Sequence, residues 1–125
     1  MNRIKIKSKK VGILKLKYLK ILNIKNWKCK NVYLNPGAER HIKEKHFMDY
    51  NMYFNKISYI INNPDFIGKN PHIPNSIEMV KKFNDIILLS IAINKNGFFY
   101  ISSMYSIKEH QLNSRIKKGR LILAP

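Results

Sequence analysis

The segment Ile86-Ile87-Leu88-Leu89-Ser90-Ile91-Ala92-Ile93 constrains this chain more than any other. A nearly continuous apolar run of that length reads as a strand buried on both faces. Asn96-Gly97 follows as a hairpin signal, and Phe98–Tyr105 returns as an aromatic-rich strand. The pattern predicts an antiparallel hairpin through Asn94–Gly97 at the centre of a sheet. Whatever else the chain does, it must supply layers to cover that sheet.

The flanking sequence supplies them. Ser76–Phe83 reads as a strand, and Leu121-Ile122-Leu123 is short enough for a final edge strand. Asn31–Leu34 is a further short strand. Asn35 then offers an N-cap with Pro36 at the first helical position, opening a helix to about Phe47. A second helix is predicted over Met52–Ile61, with Tyr53, Ile57, Ile60 and Ile61 on one stripe. Asn62-Asn63-Pro64-Asp65 ends it, and Gly68, Pro71 and Pro74 mark a loop over 68–75. Residues 11–22 carry two competing periods: Leu14–Tyr18 alternates, while Val11, Leu14, Tyr18 and Leu22 recur at helical spacing. A short helix over about 13–22 is expected, behind an extended basic arm. Ser106 with Glu109 forms a capping box for a late helix that Gly119 closes. The expectation is α+β, with helices packed on one face of a mainly antiparallel sheet. At 125 residues, 45% hydrophobic, the chain suits a basic N-terminal arm over residues 1–10 and a single domain over 11–125.

Charge narrows the function. Lys and Arg number 24 against seven Asp and Glu, a formal net charge of +17. Such an imbalance on a small domain points to a polyanion, most often nucleic acid. The 20 Ile and 15 Asn suggest AT-rich coding DNA, which explains some of the lysines but not the scarcity of acids. Residues 1–30 hold eleven of the basic residues and no acid. The lone Cys29 excludes an internal disulfide and a CxxC motif and fits a reducing cytoplasm, the expected location. No apolar run approaches the roughly 20 residues of a membrane span. The basic start lacks a small-residue cleavage site, so no signal peptide is expected.

The chemistry is narrowed by what the sequence lacks. There is no GxxxxGK[ST], no GxGxxG after a strand and no HExxH. The scattered acids support neither a two-metal carboxylate nuclease nor any other metal site, and no cofactor is expected. His, Lys, Arg, Ser and Tyr remain, and that set suits RNA cleavage without metal. A base removes the ribose 2′-proton, the 2′-oxygen attacks phosphorus, and cations hold the developing charge.

Three constellations carry such groups. In the first, His41 and Lys45 share a helix face beside Arg40, while His46 lies about 140° around from His41, so the two histidines cannot chelate jointly. The bland alternative is a solvated, charged helix. In the second, alternation puts Ser103 and Tyr105 on one face of their strand, fit to orient a phosphate, and Ser102 with Met104 on the other. The third is Arg115, Lys117, Lys118 and Arg120, which suits phosphate binding as well as a helix C-terminus. His46 is the expected proton-transfer group, with His41 as alternate. Ser103 and Tyr105 would orient the phosphate, and Arg115 and Arg120 would stabilise charge. Lys45, Arg40, Lys117, Lys118 and Arg120 would bind RNA. Asn70, Asn75 and Ser76 could read a base, and Trp27, Tyr33 and the aromatics of 98–105 could stack on one. Turn chemistry and core packing are the stronger readings for these.

Val11-Gly12-x-Leu14, Val32-Tyr33-Leu34, His41-x4-His46, Ile60-Ile61-x2-Pro64-Asp65-x-Ile67 and Ser103-x-Tyr105 together resemble the phage-type barnase–EndoU–colicin E5/D–RelE (BECR) nucleases over most of residues 11–123. The resemblance implies N-terminal helices packed on a four-stranded antiparallel sheet. It also implies a metal-independent ribonuclease, often a toxin or a weapon in phage–host conflict. The family's helix histidine would fall on His41 or His46 and its late-strand hydroxyl on Ser103 or Tyr105. The expected partners are tRNA or mRNA and an acidic antitoxin or immunity protein, with no membrane. Two other classes compete: a non-catalytic nucleic-acid-binding module, and a protein-binding effector or inhibitor with a basic face.

The charge makes a prediction of its own. Nucleic-acid affinity should fall steeply with salt, each phosphate contact adding about −0.7 to −0.9 to the slope of log K against log salt. Deleting residues 1–10 should flatten that slope in a salt titration. A binding constant that does not change with salt would exclude a polyanion partner.

Overall fold

The computed structural model describes residues 8–125. Seven strands and their connecting helices follow the order β1 (Lys9–Ile13), α1 (Leu16–Ile21), β2 (Asn31–Leu34), α2 (Pro36–Lys45), α3 (Phe47–Tyr53), a 3-10 turn (Phe54–Lys56), α4 (Ile57–Asn62), β3 (Phe66–Lys69), β4 (Ser76–Lys82), β5 (Ile86–Ile93), β6 (Phe99–Ile107), α5 (Glu109–Lys117) and β7 (Leu121–Leu123). The strands form one mixed sheet in the order β1-β2-β6-β5-β4-β3-β7.

The hairpin forms as the sequence predicts. β5 pairs antiparallel with β6 from Ile86↔Ile107 to Ile93↔Phe99, and β5 is the middle strand of the sheet. Asn94 builds the turn: its Oδ1 accepts from the N–H of Asn96 and of Phe98, and Gly97 takes φ +87°. That left-handed angle is one that glycine adopts without a Cβ penalty.

Alternation sorts the side chains onto two faces. On one face, Ile67, Ile77, Met79, Ile87, Leu89, Ile91, Phe99 and Ile101 meet Leu19 of α1, Ile42 of α2, Tyr53 of α3 and Ile57, Ile60 and Ile61 of α4. Burying each Leu or Ile of this core contributes about 1.5–3 kcal/mol. On the other face, Val80, Leu88 and Ile107 meet Leu112 of α5 and Leu121. Asn35 caps α2 as expected, its Oδ1 accepting from Ala38 N–H at 2.8 Å, with Pro36 at the first position.

Several expectations need correcting. The four-stranded antiparallel sheet behind N-terminal helices is not found. Among the described residues the sheet has seven strands and is mixed, because β2 lies parallel to β6 through Val32↔Phe99 and Tyr33↔Tyr100. A strand, β1, precedes the first described helix, and α5 packs on the face opposite the other helices, so the helices do not share one face. The helix expected over 13–22 shortens to Leu16–Ile21, because Lys9–Ile13 pairs with β2. Lys9 and Lys10 of the expected basic arm belong to β1; residues 1–7 of that arm lie outside the described residues. The helix over 52–61 is split by the 3-10 turn, although its stripe of Tyr53, Ile57, Ile60 and Ile61 is buried as expected. Ser106 belongs to β6 and does not cap α5; the Lys108 N–H is held instead by Gln111 Oε1 at 2.8 Å.

The loop expected over 68–75 hides the end of a strand. Gly68 sits in β3, between Glu78 of β4 and Leu121 of β7. A Cβ placed on Gly68 would lie 1.8 Å from the Arg120 carbonyl oxygen. The glycine lets the chain entering β7 cross close over β3; it does not mark a turn. Gly68→Ala should therefore destabilise the protein by about 1–3 kcal/mol, the usual cost of overpacking. The loss would appear as a lower urea midpoint; an unchanged midpoint would mean that β7 has room to move.

Candidate active site on the second sheet face

α5 covers one end of the second face, over Val80, Leu88 and Ile107, and leaves a polar row beside it. Strand register places Glu78 of β4 against Ser90 of β5, and Ser90 against Ser103 of β6. A bulge between Ser90 and Ile91 breaks the alternation of β6 at Ser102. Ser102 therefore shares the side of Ser90, not the far face expected of it. Its hydroxyl donates to the Ser90 carbonyl at 3.1 Å and to the Ser90 hydroxyl at 3.0 Å. The Ser90 hydroxyl lies 3.3 Å from that of Ser76, so three hydroxyls connect three strands.

Glu78 is the charged centre of this row. It is 1% exposed, and Arg120 closes on it with Nε to Oε1 at 2.8 Å and Nη2 to Oε2 at 2.7 Å. Two parallel charge-assisted bonds are the geometry that lets a carboxylate be buried. The bonds from Glu78 hold the Arg120 pKa above its ordinary value, more than burial lowers it. The pair leaves Arg120 Nη1 outside it. Register puts Tyr105 on the same face, two residues along β6 from Ser103.

His46 reaches this face from a helix junction. It ends α2, donating its N–H to the Ile42 carbonyl at 2.8 Å, and starts α3, its carbonyl accepting from Tyr50 N–H at 2.8 Å. The non-helical backbone between the two helices sends its ring onto Tyr105, with centroids 5.4 Å apart. The fold thus gathers His46, Tyr105, Ser103 and Arg120 around the row of Glu78 and Ser90. Other expected residues stand apart. His41, Arg40 and Lys45 are exposed on α2, and Lys117 and Lys118 are exposed where α5 ends.

Arg115 joins Arg120 along a hollow of about 770 Å³ between α5 and the Gly68–His72 stretch. Its Nη1 is buried and has no hydrogen-bond partner. His72 and His110 line the same hollow. Neither histidine was singled out from the sequence, since each stands alone in its segment and only the packing of α5 against β3 brings them together. Ser90, the one polar residue in the apolar strand β5, carries a signal in the sequence, whereas Glu78 shares β4 with Ser76, Lys81 and Lys82 and carries none. Among the described residues, no group of three or more His, Cys, Asp or Glu side chains is placed to hold a metal ion. No described helix is long and apolar enough to cross a membrane.

A family model described as phage-Barnase-EndoU-ColicinE5/D-RelE like nuclease3 matches residues 8–114. The chain belongs to this family. Membership places it among the BECR-type nucleases and makes nucleic acid its substrate class. The match runs from the start of the described chain into α5, so it includes His46, Glu78, the serines and Tyr105, while Arg115 and Arg120 lie beyond it. No curated protein and no solved structure matches the chain significantly.

Within this BECR nuclease the Glu78–Arg120 pair has a testable energetic signature. Removing one partner leaves the other buried and unpaired, which costs about 3–5 kcal/mol. Arg120→Ala and Glu78→Gln should each lower stability toward that range in urea denaturation. Glu78→Leu combined with Arg120→Met should cost much less than the sum of those same two substitutions made singly. Additive losses would show that the two side chains are not coupled.

Proposed function

We propose that this chain is a metal-independent endoribonuclease that cuts RNA by attack of a ribose 2′-oxygen on the adjacent phosphodiester. The observation that carries the reading is the stack of His46 on Tyr105, which strand register sets on the same sheet face as Ser103 and the Glu78–Arg120 pair. An imidazole, a phenol and a cation standing together beside serine hydroxyls match what the reaction needs.

In this reading His46 takes the 2′-proton, and its stack against Tyr105 sets the plane of the ring. The 2′-oxygen forms a bond to phosphorus as the 5′-oxygen leaves and takes a proton from solvent. Ser103 and Tyr105 orient the scissile phosphate. Arg120, through the nitrogen not engaged with Glu78, and Arg115, whose buried Nη1 has no protein partner, offset the growing negative charge. Because Glu78 fixes the Arg120 guanidinium before substrate arrives, little reorganisation is needed at the moment of reaction. Lys117 and Lys118, with Arg40 and Lys45 on α2, supply exposed cations for the RNA backbone. His41, exposed on α2, is the alternate base. The excess charge of +17 suits both a tRNA or mRNA substrate and an acidic antitoxin or immunity protein, the setting of a toxin acting in the cytoplasm.

Pure protein incubated with total RNA in EDTA tests the proposal. Defined fragments ending in 2′,3′-cyclic phosphate are expected. His46→Ala should slow cleavage by at least about 100-fold, the lower bound for a proton-transfer group, while RNA binding and thermal stability change little. Cleavage at the wild-type rate would remove His46 from this role. RNA binding without any cleavage would leave a non-catalytic binding module.

A further inference from the structure

The second sheet face continues past the serine row to the parallel pair β2–β6. Val32 and Leu34 of β2, and Phe99 and Ile101 of β6, point into the helix-covered core. Alternation therefore turns Tyr33 and Tyr100 to the opposite face, where the register sets them side by side. Asn31 Nδ2 donates to the Tyr33 hydroxyl at 3.2 Å and holds that ring in place. Phe98, 40% exposed, stands just before β6. These three aromatics line a hollow of about 650 Å³ together with Asn35 and Asn94.

The two asparagines are polarised by the fold. Asn35 Oδ1 is taken by the Ala38 N–H in the cap of α2. Asn94 Oδ1 is taken by the N–H groups of Asn96 and Phe98 in the hairpin turn. Backbone donors thus fix both amides, and each has its Nδ2 donors left to offer. A hollow with aromatic walls and two asparagine amides lining it suits a planar ring with acceptors on its edge. Uracil, cytosine and guanine each carry a carbonyl acceptor with a second acceptor on the same edge. Adenine instead carries an amino donor beside its ring nitrogens. Across the bulge at Ser102, Tyr100 and Ser103 face Ala92 and Ser90, two residues apart on β5, about 7 Å at roughly 3.3 Å per residue. A base held there would lie close along the strand from the polar row.

We propose that this hollow is a base-recognition subsite that takes an unpaired uracil, cytosine or guanine of single-stranded RNA and discriminates against adenine. The proposal rests on the endoribonuclease reading for its link to cleavage, but it can be tested without any cleavage. Labelled 2′-O-methyl adenosine hexamers, which have no free 2′-hydroxyl to attack, are compared with hexamers in which one or more bases are replaced by U, C or G. Affinity is read by fluorescence anisotropy at one salt concentration. The wild type should bind the U-, C- or G-containing hexamers at least about fivefold more tightly than the adenosine hexamer.

Asn35→Asp and Asn94→Asp keep the oxygen that caps α2 or closes the turn, since Asp caps as well as Asn, but replace the donor with an acceptor. Each should bring the ratio toward one. The added negative charge weakens binding to every hexamer alike and leaves the ratio as the readout. Phe98→Ala should weaken binding to the U-, C- or G-containing hexamers by roughly 5- to 150-fold, the range for losing a stacked base. A wild-type ratio near one, or Asp variants that both keep the wild-type ratio, would overturn the subsite. Should the EDTA cleavage assay fail while the ratio and its loss hold, the subsite stands and the catalytic reading falls. Cleavage with no base preference would do the reverse.

Discussion

Burying one carboxylate organises much of this fold. Glu78 sits in the interior of β4 with 1% of its surface exposed, where an unpaired charge would be untenable. Its counter-charge, Arg120, lies 42 residues further along the chain. To bring Arg120 there, the chain makes the β5–β6 hairpin, runs α5 across the second face, turns at Gly119 with φ +79° and passes over β3. That passage is so close that only glycine fits at position 68. The ion pair, the position of α5, the closing strand β7 and Gly68 are thus one constraint seen at four places. The same constraint sets a guanidinium at the edge of a polar row before any substrate is present.

The two faces of the sheet divide the work. One is covered by α1 to α4 and holds most of the apolar side chains, so it supplies the stability. The other is covered only in part by α5, and the remainder stays polar through Ser76, Ser90, Ser102 and Ser103. A bulge at Ser102 adds a hydroxyl to that row that strict alternation would have turned away. The break between α2 and α3 serves the same face, because the junction at His46 is where helical geometry releases a side chain toward Tyr105. His46 and Ser102 thus reach this face through irregularities in a regular frame, where local departures redirect side chains. The tie between Tyr53 and Asp85, with the tyrosine hydroxyl donating at 2.8 Å, anchors α3 against the β4–β5 turn and steadies that junction.

Some of this was legible in the residues alone, and the reasons are local. The apolar run 86–93 with Asn96-Gly97 determined the central hairpin, because strand burial and turn type are both short-range. Asn35-Pro36 determined the start of α2, Gly119 the end of α5, and Leu121–Leu123 the edge strand. His46, Ser103, Tyr105 and Arg120 were recognisable as chemical groups suited to phosphate, and the charge of +17 marked a polyanion partner. The tertiary structure decided what depends on partners distant in the chain. The parallel pairing of β2 with β6, the strand β3 hidden in a loop-like segment around Gly68, and the placement of α5 on the opposite face all rest on contacts with no short-range signature. It also decided that Glu78, one of several polar residues of β4, and Ser90, the one polar residue of β5, are the centre of the polar row, and that Arg120 is first the partner of a buried carboxylate. A sequence names which groups are available. Which of them face one another is set by strand register and by the crossings between distant segments, and those are fixed only when the whole sheet closes.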